Sequence, residues 1–355
     1  MTAVNPVLQE NDRITLADYR KRFGGEDGIA EVAETLNESN EVMQDIVYKE
    51  GNMDNGDRQT YRLSLPDVYE KVFNKGTKAS KSSVGTVEET CALIEARAEV
   101  DVDLAELNGQ APQLRAQEDK AFIEAIAQKE TYLYFKGNTD NGNMFDGFER
   151  RYNTLNQSKD LRATNVIDAS NKAGATALKG KKLSSIWLVG WGDDVYSPYP
   201  KGSKMGLRVE DKGAIFLPDE EGNVNEVYTT MYKKSVGLMV KDWRKVVRIC
   251  NIDVDMLRTN QGVGNPDLQK QGWNLITLML DAITKLPADA KGNFKFYMNR
   301  DVFASLNSLS LRSDTNVIEW KKATDAFGKN GSWANFQGIP MRRVDQLTND
   351  EAIVS

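Results

Sequence analysis

The stretch QLRAQEDKAFIEAIAQKETYLYF, Gln113–Phe135, decides how the rest of the chain is read. Leu114, Ala121, Phe122, Ala125, Ile126 and Leu133 recur at the three- and four-residue steps of one helical face, and Arg115, Glu118, Lys120 and Glu124 take the other. Pro112 stands just before the run, where a missing N–H costs nothing. The cluster Gly137–Asn143 ends it with residues that favour turns and positive φ. At about 1.5 Å per residue such a helix is roughly 35 Å long, enough to cross a domain. The chain before it reads as arm and hairpin, and the chain after it as mixed α/β.

Working outward towards the amino terminus, Ile29, Val32, Ala33, Leu36, Val42, Met43 and Ile46 predict a helix over about 28–46. Residues 1–25 are polar and weakly patterned, as in an extended arm ordered only by a neighbour. GNMDNGD, Gly51–Asp57, is a dense turn signal. Two strands should follow, Arg58–Leu65 leading out and Glu89–Asp103 leading back. In the return strand Ala92, Ile94, Ala96, Ala98 and Val100 alternate with Leu93, Glu95, Arg97, Glu99 and Asp101, giving one dry and one charged face. Between them KVFNKGTKASKSSVG, Lys71–Gly85, sets Lys71, Lys75, Lys78 and Lys81 among Gly, Ser and Thr. Three readings stand: a solvated hairpin tip, a basic tip that docks on an acidic neighbouring subunit, or a nucleic-acid contact. The last lacks aromatics alternating with the lysines.

Towards the carboxyl terminus, FDGFERRY, Phe145–Tyr152, carries aromatics and the pair Arg150–Arg151. Strands are predicted at Asn165–Asp168, at the apolar run Ser184–Trp191, around the DEEGN turn within Gly213–Asn225, and twice within Val227–Ile252 with a break at Lys241–Lys245. A helix over Asp267–Leu286, with Leu268, Trp273, Ile276, Leu280 and Ile283 on one stripe, stops before Pro287. A strand at Asn293–Met298, a helix at Arg300–Leu309 and strand-like segments within Phe336–Val354 complete the α+β pattern.

Composition closes several routes. The 355 residues can bury one large core or two smaller ones. A net charge of −6 argues against a general nucleic-acid-coating surface. The chain has no histidine, which excludes Ser-His-Asp and Cys-His nucleophiles and imidazole-ligated metal. Cys91 and Cys250 stand far apart in no CxxC pattern and read as buried small hydrophobes. The amino terminus lacks the pattern of a signal peptide, and the longest apolar run, near Leu275–Leu280, is too short to span a bilayer; a soluble, intracellularly made protein with no membrane partner is expected.

Catalytic, cofactor and metal signals are weak. There is no phosphate loop, and Gly262–Gly264 lacks the glycine and context of a dinucleotide site. Gly202, Ser203 and Lys204 could hold an anion but read better as a surface turn. Asn138, Asp140 and Glu149 approach the spacing of a calcium loop, yet glycine sits where a ligand belongs and Asn143 where glycine is needed. Asp193, Asp194, Asp253 and Asp255 could pair as acids, although solvated loop charges are the default. The expectation is no enzyme, no cofactor and no metal.

Three long stretches, IWLVGWGDDVYSPYPKGSKMGLRVEDKG (Ile186–Gly213), YKKSVGLMVKDWRKVVRICNID (Tyr232–Asp253) and WANFQGIPMRRVDQLTNDEAIV (Trp333–Val354), resemble the major capsid proteins of short-tailed phages of the epsilon-fifteen type, members of the Hong Kong 97 fold. YFKGNTDNGNMFDGFERRYN (Tyr134–Asn153) and NVIDA (Asn165–Ala169) match in order along the chain, so the resemblance covers most of 130–355; the first 100 residues match by layout only. It implies an α+β capsid subunit with an arm and helix over 1–50, an extended hairpin loop over 51–103, a peripheral domain with a spine helix over 104–160 and an axial domain over 161–355. Strands around 227–252 return to the peripheral domain, with Val236–Ile252 running beside the spine helix. It further implies self-assembly into pentamers and hexamers, an icosahedral virion shell around double-stranded DNA, and assembly in the host bacterial cytoplasm with a separate scaffolding protein, a portal protein and decoration proteins as partners. Lys71, Lys75, Lys78, Lys81, Arg150 and Arg151 are the expected subunit contacts. No isopeptide crosslink is expected. The alternatives are an encapsulin-like compartment shell and, from another class, a carboxylate- or lysine-dependent α/β enzyme.

Overall fold

The computed structural model of the chain describes residues 41–106, 111–170, 178–218, 224–259, 266–288, 292–312, 318–324 and 330–355. These form two compact units, one built from 93–129 and 206–235, the other from 38–92, 130–205 and 236–355. The arm and most of the helix expected over 28–46 lie outside the described residues; Glu41–Gln44 is a single 3-10 turn.

In the first unit the strands run in the order Ala92–Asp101, Val224–Val236, Arg208–Pro218. The helix expected at Gln113–Phe135 spans Ala111–Lys136 and contributes its first part here. Leu114 joins Val100, Leu104 and Ala105 in one small core. Ile126 joins Ala98 and Tyr232 in another, with Phe122 packed against it. Phe122 stacks on Tyr232 with ring centroids 5.4 Å apart and planes 7° from parallel, an offset contact that adds to area burial. Arg115 pairs with Asp211 at 2.7 Å and lies over the Tyr228 ring. Ala121 and Ala125 are exposed, so the dry stripe is narrower than the periodicity suggests: it follows the four-residue steps through Leu114, Phe122 and Ile126.

The second unit holds the large core. Its seven-stranded sheet has the order Ile318–Thr324, Asn330–Phe336, Ile339–Arg343, Asn293–Met298, Leu183–Trp191, Val246–Asp253, Val166–Asp168. Leu183–Trp191 is buried at every position, as suits a central strand covered on both faces. The helices Pro266–Thr284 and Arg300–Arg312 accompany this sheet, and Leu275, Met279, Ala282, Val302 and Leu306 enter its apolar core. Leu280, expected on the buried stripe, is 40% exposed instead.

Two strand expectations are corrected. The partner of the outgoing hairpin strand Gly56–Ser64 is Ser83–Thr90, not Glu89–Asp103; Ala92–Asp101 belongs to the other unit's sheet. The alternation seen in 92–101 is real, but its dry side faces a helix rather than a hairpin partner. Similarly, the strand that shares a unit with the first part of the long helix is Val224–Val236, whereas Val246–Asp253 sits inside the seven-stranded sheet. The break between them, a 3-10 turn at Trp243–Lys245, falls where expected.

The carboxyl end of the long helix is set in aromatic packing. Phe135 lies 5.7 Å from Phe148 and 6.3 Å from Trp187, and Phe148 lies 5.9 Å from Trp187 and from Trp191. Gly137 stops the helix through close packing rather than positive φ: its N–H bonds to the Leu133 carbonyl, and a Cβ there would come within 2.5 Å of that oxygen. Glu130 is wholly buried, yet it accepts a 2.8 Å hydrogen bond from the Tyr48 hydroxyl.

Candidate assembly interface

An exposed ribbon dominates the surface chemistry of the second unit. Gly56–Ser64 and Ser83–Thr90 pair antiparallel from Gly56↔Thr90 to Ser64↔Ser83, with a register shift near Arg62. Among the described residues the ribbon has no third strand, and its far half is exposed or half-buried at every position. A two-stranded ribbon of this kind is marginal alone.

Its base is fixed by charge and hydrogen bonding. The Arg151 guanidinium makes a two-point contact with the Glu89 carboxylate, one arm at 2.7 Å, and donates to the carbonyls of Asp146 at 2.8 Å and Leu238 at 3.2 Å. Such forked pairing fixes orientation as well as charge. Asp57, 1% exposed, accepts from the Tyr196 hydroxyl and from the Gln59 amide. Burial, then the Asp57 hydrogen bond, holds the Tyr196 hydroxyl above its ordinary range. Cys91 N–H closes the base on the Asn55 carbonyl at 3.1 Å.

The ribbon's far end is the irregular segment 65–82, exposed at every position from 65 to 81. It is nevertheless built. Lys75 N–H donates to Val72 C=O, closing a turn with Asn74 at φ +63°, a conformation asparagine tolerates. Ser80 Oγ donates to Asp67 C=O at 2.6 Å across the segment, and the Ser64 and Ser83 hydroxyls meet at its mouth.

Lys71, Lys75, Lys78 and Lys81 all lie in this exposed segment, and none has an ion-pair partner among the described residues. Arg150 and Arg151 lie on the short helix Phe148–Arg151 instead. Arg150 is partly exposed and pairs with Asp140; Arg151 is buried in the ribbon's base. The structure thus gathers the four lysines and separates them from the arginine pair. Sequence reasoning missed the apolar content of the same segment: Val68 is 92% and Phe73 95% exposed. The signal was there, since Leu65, Val68, Tyr69, Val72 and Phe73 crowd the first half of the segment.

The weak candidates resolve differently. Asn138 caps a 3-10 turn through Asp140 N–H, and Asp140 is held by Arg150. Asp193, Asp194, Asp253 and Asp255 each face a lysine, respectively Lys49, Lys245, Lys181 and Lys182. No group of three or more carboxylate or cysteine side chains fit to hold a metal occurs among the described residues. Gly202 N–H already donates to Glu50. Cys91 and Cys250 are buried and unpaired as thiols, and burial pushes both up to about 12. None of the helices in the described residues is long and apolar enough to cross a membrane.

A long helix, an open ribbon with a structured tip and a large sheet domain together define a subunit of the Hong Kong 97 type fold. A family model of the major capsid protein GP7 matches residues 24–355, and the chain belongs to that family: it is a shell-forming major capsid protein of a bacteriophage, located in the virion capsid. Among solved structures, a chain of the near-atomic cryo-EM structure of bacteriophage Epsilon15 is similar over 98% of this chain and 99% of its own, at a TM-score of 0.75 and 24% identity. The bacteriophage JBD30 capsid is similar over 90% of this chain and 94% of its own, at a TM-score of 0.50 and 11% identity. No curated protein matches the chain.

Proposed function

We propose that the chain assembles as pentamers and hexamers into a closed icosahedral shell around double-stranded DNA, and that it acts as a structural protein rather than an enzyme. The observation that carries this reading is the ribbon: an ordered, exposed hairpin with an uncovered tip is stable in an assembly that covers it. In this reading the polar amino-terminal stretch is the arm, the ribbon of Gly56–Ser64 and Ser83–Thr90 is the extended loop, the unit of 93–129 and 206–235 belongs to the peripheral domain, and the seven-stranded sheet belongs to the axial domain. Lys71, Lys75, Lys78, Lys81 and Arg150 contact neighbouring subunits, and Arg151 serves the contact from behind by holding the ribbon's base. Many modest contacts of this kind add through multivalency. The acidic net charge suits a container that encloses DNA without gripping it along its whole inner face. Assembly takes place in the host bacterial cytoplasm with a scaffolding protein and around a portal, and decoration proteins are candidate partners on the outside. The test is expression of the chain alone and with its scaffolding protein, followed by negative-stain electron microscopy of the high-mass fraction. Closed particles, or rings of five and six, are expected; a monomer under every condition would overturn the reading.

A further inference from the structure

The loop that joins the long helix to the short helix Phe148–Arg151 places an aspartate and an asparagine before glycines, and it treats them in opposite ways. Asp146, before Gly147, is fastened. Its carboxylate accepts from the Thr139 N–H and the Thr139 hydroxyl, each at 2.9 Å, and the buried Gly147 donates its N–H to the Gly137 carbonyl at 2.8 Å. Asn141, before Gly142, is loose. Both residues are exposed, and the Asn141 side-chain amide has no hydrogen-bond partner among the described residues. The other asparagines of the loop are engaged: Asn138 accepts the Asp140 N–H at 2.9 Å, and Asn143 accepts the Asn138 N–H at 3.0 Å. Gly142 stands at φ +84°, and beyond its chain neighbours nothing comes within 4 Å of where its Cβ would be.

An asparagine followed by glycine can react with its own chain, because no Cβ on the next residue screens the backbone nitrogen from the side-chain carbonyl carbon. The sequence has four such pairs, Asn55–Gly56, Asn108–Gly109, Asn141–Gly142 and Asn330–Gly331, of which the second lies outside the described residues. The structure restrains two of the other three. At the base of the ribbon the Asn55 carbonyl holds the Cys91 N–H at 3.1 Å, and Gly56 is buried with the Glu89 carbonyl oxygen 2.2 Å from its would-be Cβ. Asn330 and Gly331 are paired in a ladder with Thr324 and Ala323, which keeps their backbone extended. The Gly142 N–H is held only by the Thr139 carbonyl at 3.1 Å, in a 3-10 turn of three residues. Such a turn has the poorer hydrogen-bond geometry and opens locally at small cost.

We propose that Asn141 is a self-modification site at which the chain deamidates itself. The Gly142 nitrogen attacks Cγ of Asn141 and gives up its proton to solvent base. The Cγ–Nδ2 bond then breaks, and the amide nitrogen takes a proton from water and leaves as ammonia. Water adds to either carbonyl of the resulting five-membered imide, the ring C–N bond opens, and residue 141 becomes aspartate or isoaspartate. Nothing is oxidised or reduced, and water is the only co-reactant. Asn141 lines a pocket of about 430 Å³ together with Lys136 and Arg150, whose charges favour the anionic intermediate and the new carboxylate. The product adds one negative charge to a chain of net −6 and competes with Asp140 for Arg150. The site belongs to the single chain and stands apart from the shell reading, although a subunit locked in a particle would accumulate the change with age.

The test is peptide mapping by mass spectrometry of the folded, full-length protein held at 37 °C, at pH 6 and at pH 8. The peptide containing Asn141 should deamidate at least tenfold faster than those containing Asn55 or Asn330. Its rate should rise at least fivefold between the two pH values, as a base-promoted step requires. In urea the three peptides should converge, because only the fold separates them. Gly142→Ala should slow the reaction at Asn141 at least tenfold. Asn141→Gln, which keeps the amide but closes no five-membered ring, should abolish the charge shift of this peptide without touching the backbone of the turn. An unchanged Asn141, or equal rates at all three sites in the folded protein, would overturn the proposal. So would a Gly142→Ala chain that deamidates as fast as the parent.

Discussion

The seven-stranded sheet and the hairpin ribbon are built on opposite principles. In the sheet, even charged groups are enclosed and answered. Arg248 is 1% exposed, donates to Glu351 at 2.8 Å and to the Tyr152 carbonyl at 2.8 Å, and lies over the Trp187 ring. Ser185 bridges Arg248 and Glu351. Nearby, Asn251, at φ +58° beside a bulge, exchanges two hydrogen bonds with the Val354 backbone and so holds the carboxyl-terminal segment. In the ribbon, only the base is answered and the tip faces water. The sheet region answers these charges within one chain, and the ribbon leaves its tip to solvent.

The sharpest way to break this comparison is to remove a group from each side. Arg248→Ala leaves the Glu351 carboxylate buried without its cation, a loss of about 3–5 kcal/mol. Urea unfolding of the unassembled chain should show it as a large drop in midpoint. Phe73→Ala in the same assay should stay within about 0.5 kcal/mol of the parent, as exposed substitutions do. A comparable loss at Phe73 would mean that the tip packs on its own chain.

A smaller effect tests the boundary between the two regions. Glu89→Gln removes the charge that Arg151 grips, weakening a charge-assisted contact worth about 1.5–3 kcal/mol. Hydrogen exchange should quicken in Gly56–Ser64 and Ser83–Thr90 while Leu183–Trp191 keeps its protection. Equal quickening in both would show that ribbon and sheet open as one unit.

How legible all this was depends on the range of the interactions. The long helix and the central strand Leu183–Trp191 could be read because their periods are local: 3.6-residue steps in the one, an unbroken apolar run in the other. The hairpin's existence was legible from Gly51–Asp57 and the strand after it. Its register was not, because Ser83–Thr90, SVGTVEET, looks like the end of a polar loop and gains its strand geometry from the partner. Two strong strands close together, Val224–Val236 and Val246–Asp253, gave no local sign of entering different sheets. The lysines of the tip stood out by charge, and Phe73 was overlooked because exposure is a tertiary fact. Arg248 and Glu351 are 103 residues apart, and nothing local to either signals their pairing. Arg151 belonged to a recognisable pair, but only Glu89, 62 residues away, explains why it turns inward.

The smallest expected effect asks how completely the sheet region satisfies its charges. Glu149 borders the Arg248–Glu351 pair, 3.9 Å from Arg248, and is half-buried. Burial first, and then the negative charge of Glu351, raise its carboxyl above the ordinary 4.5, against the pull of Arg248 and Lys136. A carboxyl raised in the folded state favours folding when protonated. That contribution is fully present below pH 4.5 and is lost as pH rises through the folded value. Glu149→Gln is neutral at every pH, so it should raise the unfolding midpoint at pH 7 and leave it nearly unchanged at pH 4, where the parent is protonated too. Midpoints measured at both pH values decide it. A lower midpoint at pH 7 would mean that the long Arg248 contact outweighs burial, and that the sheet region holds Glu149 as firmly as it holds Glu351.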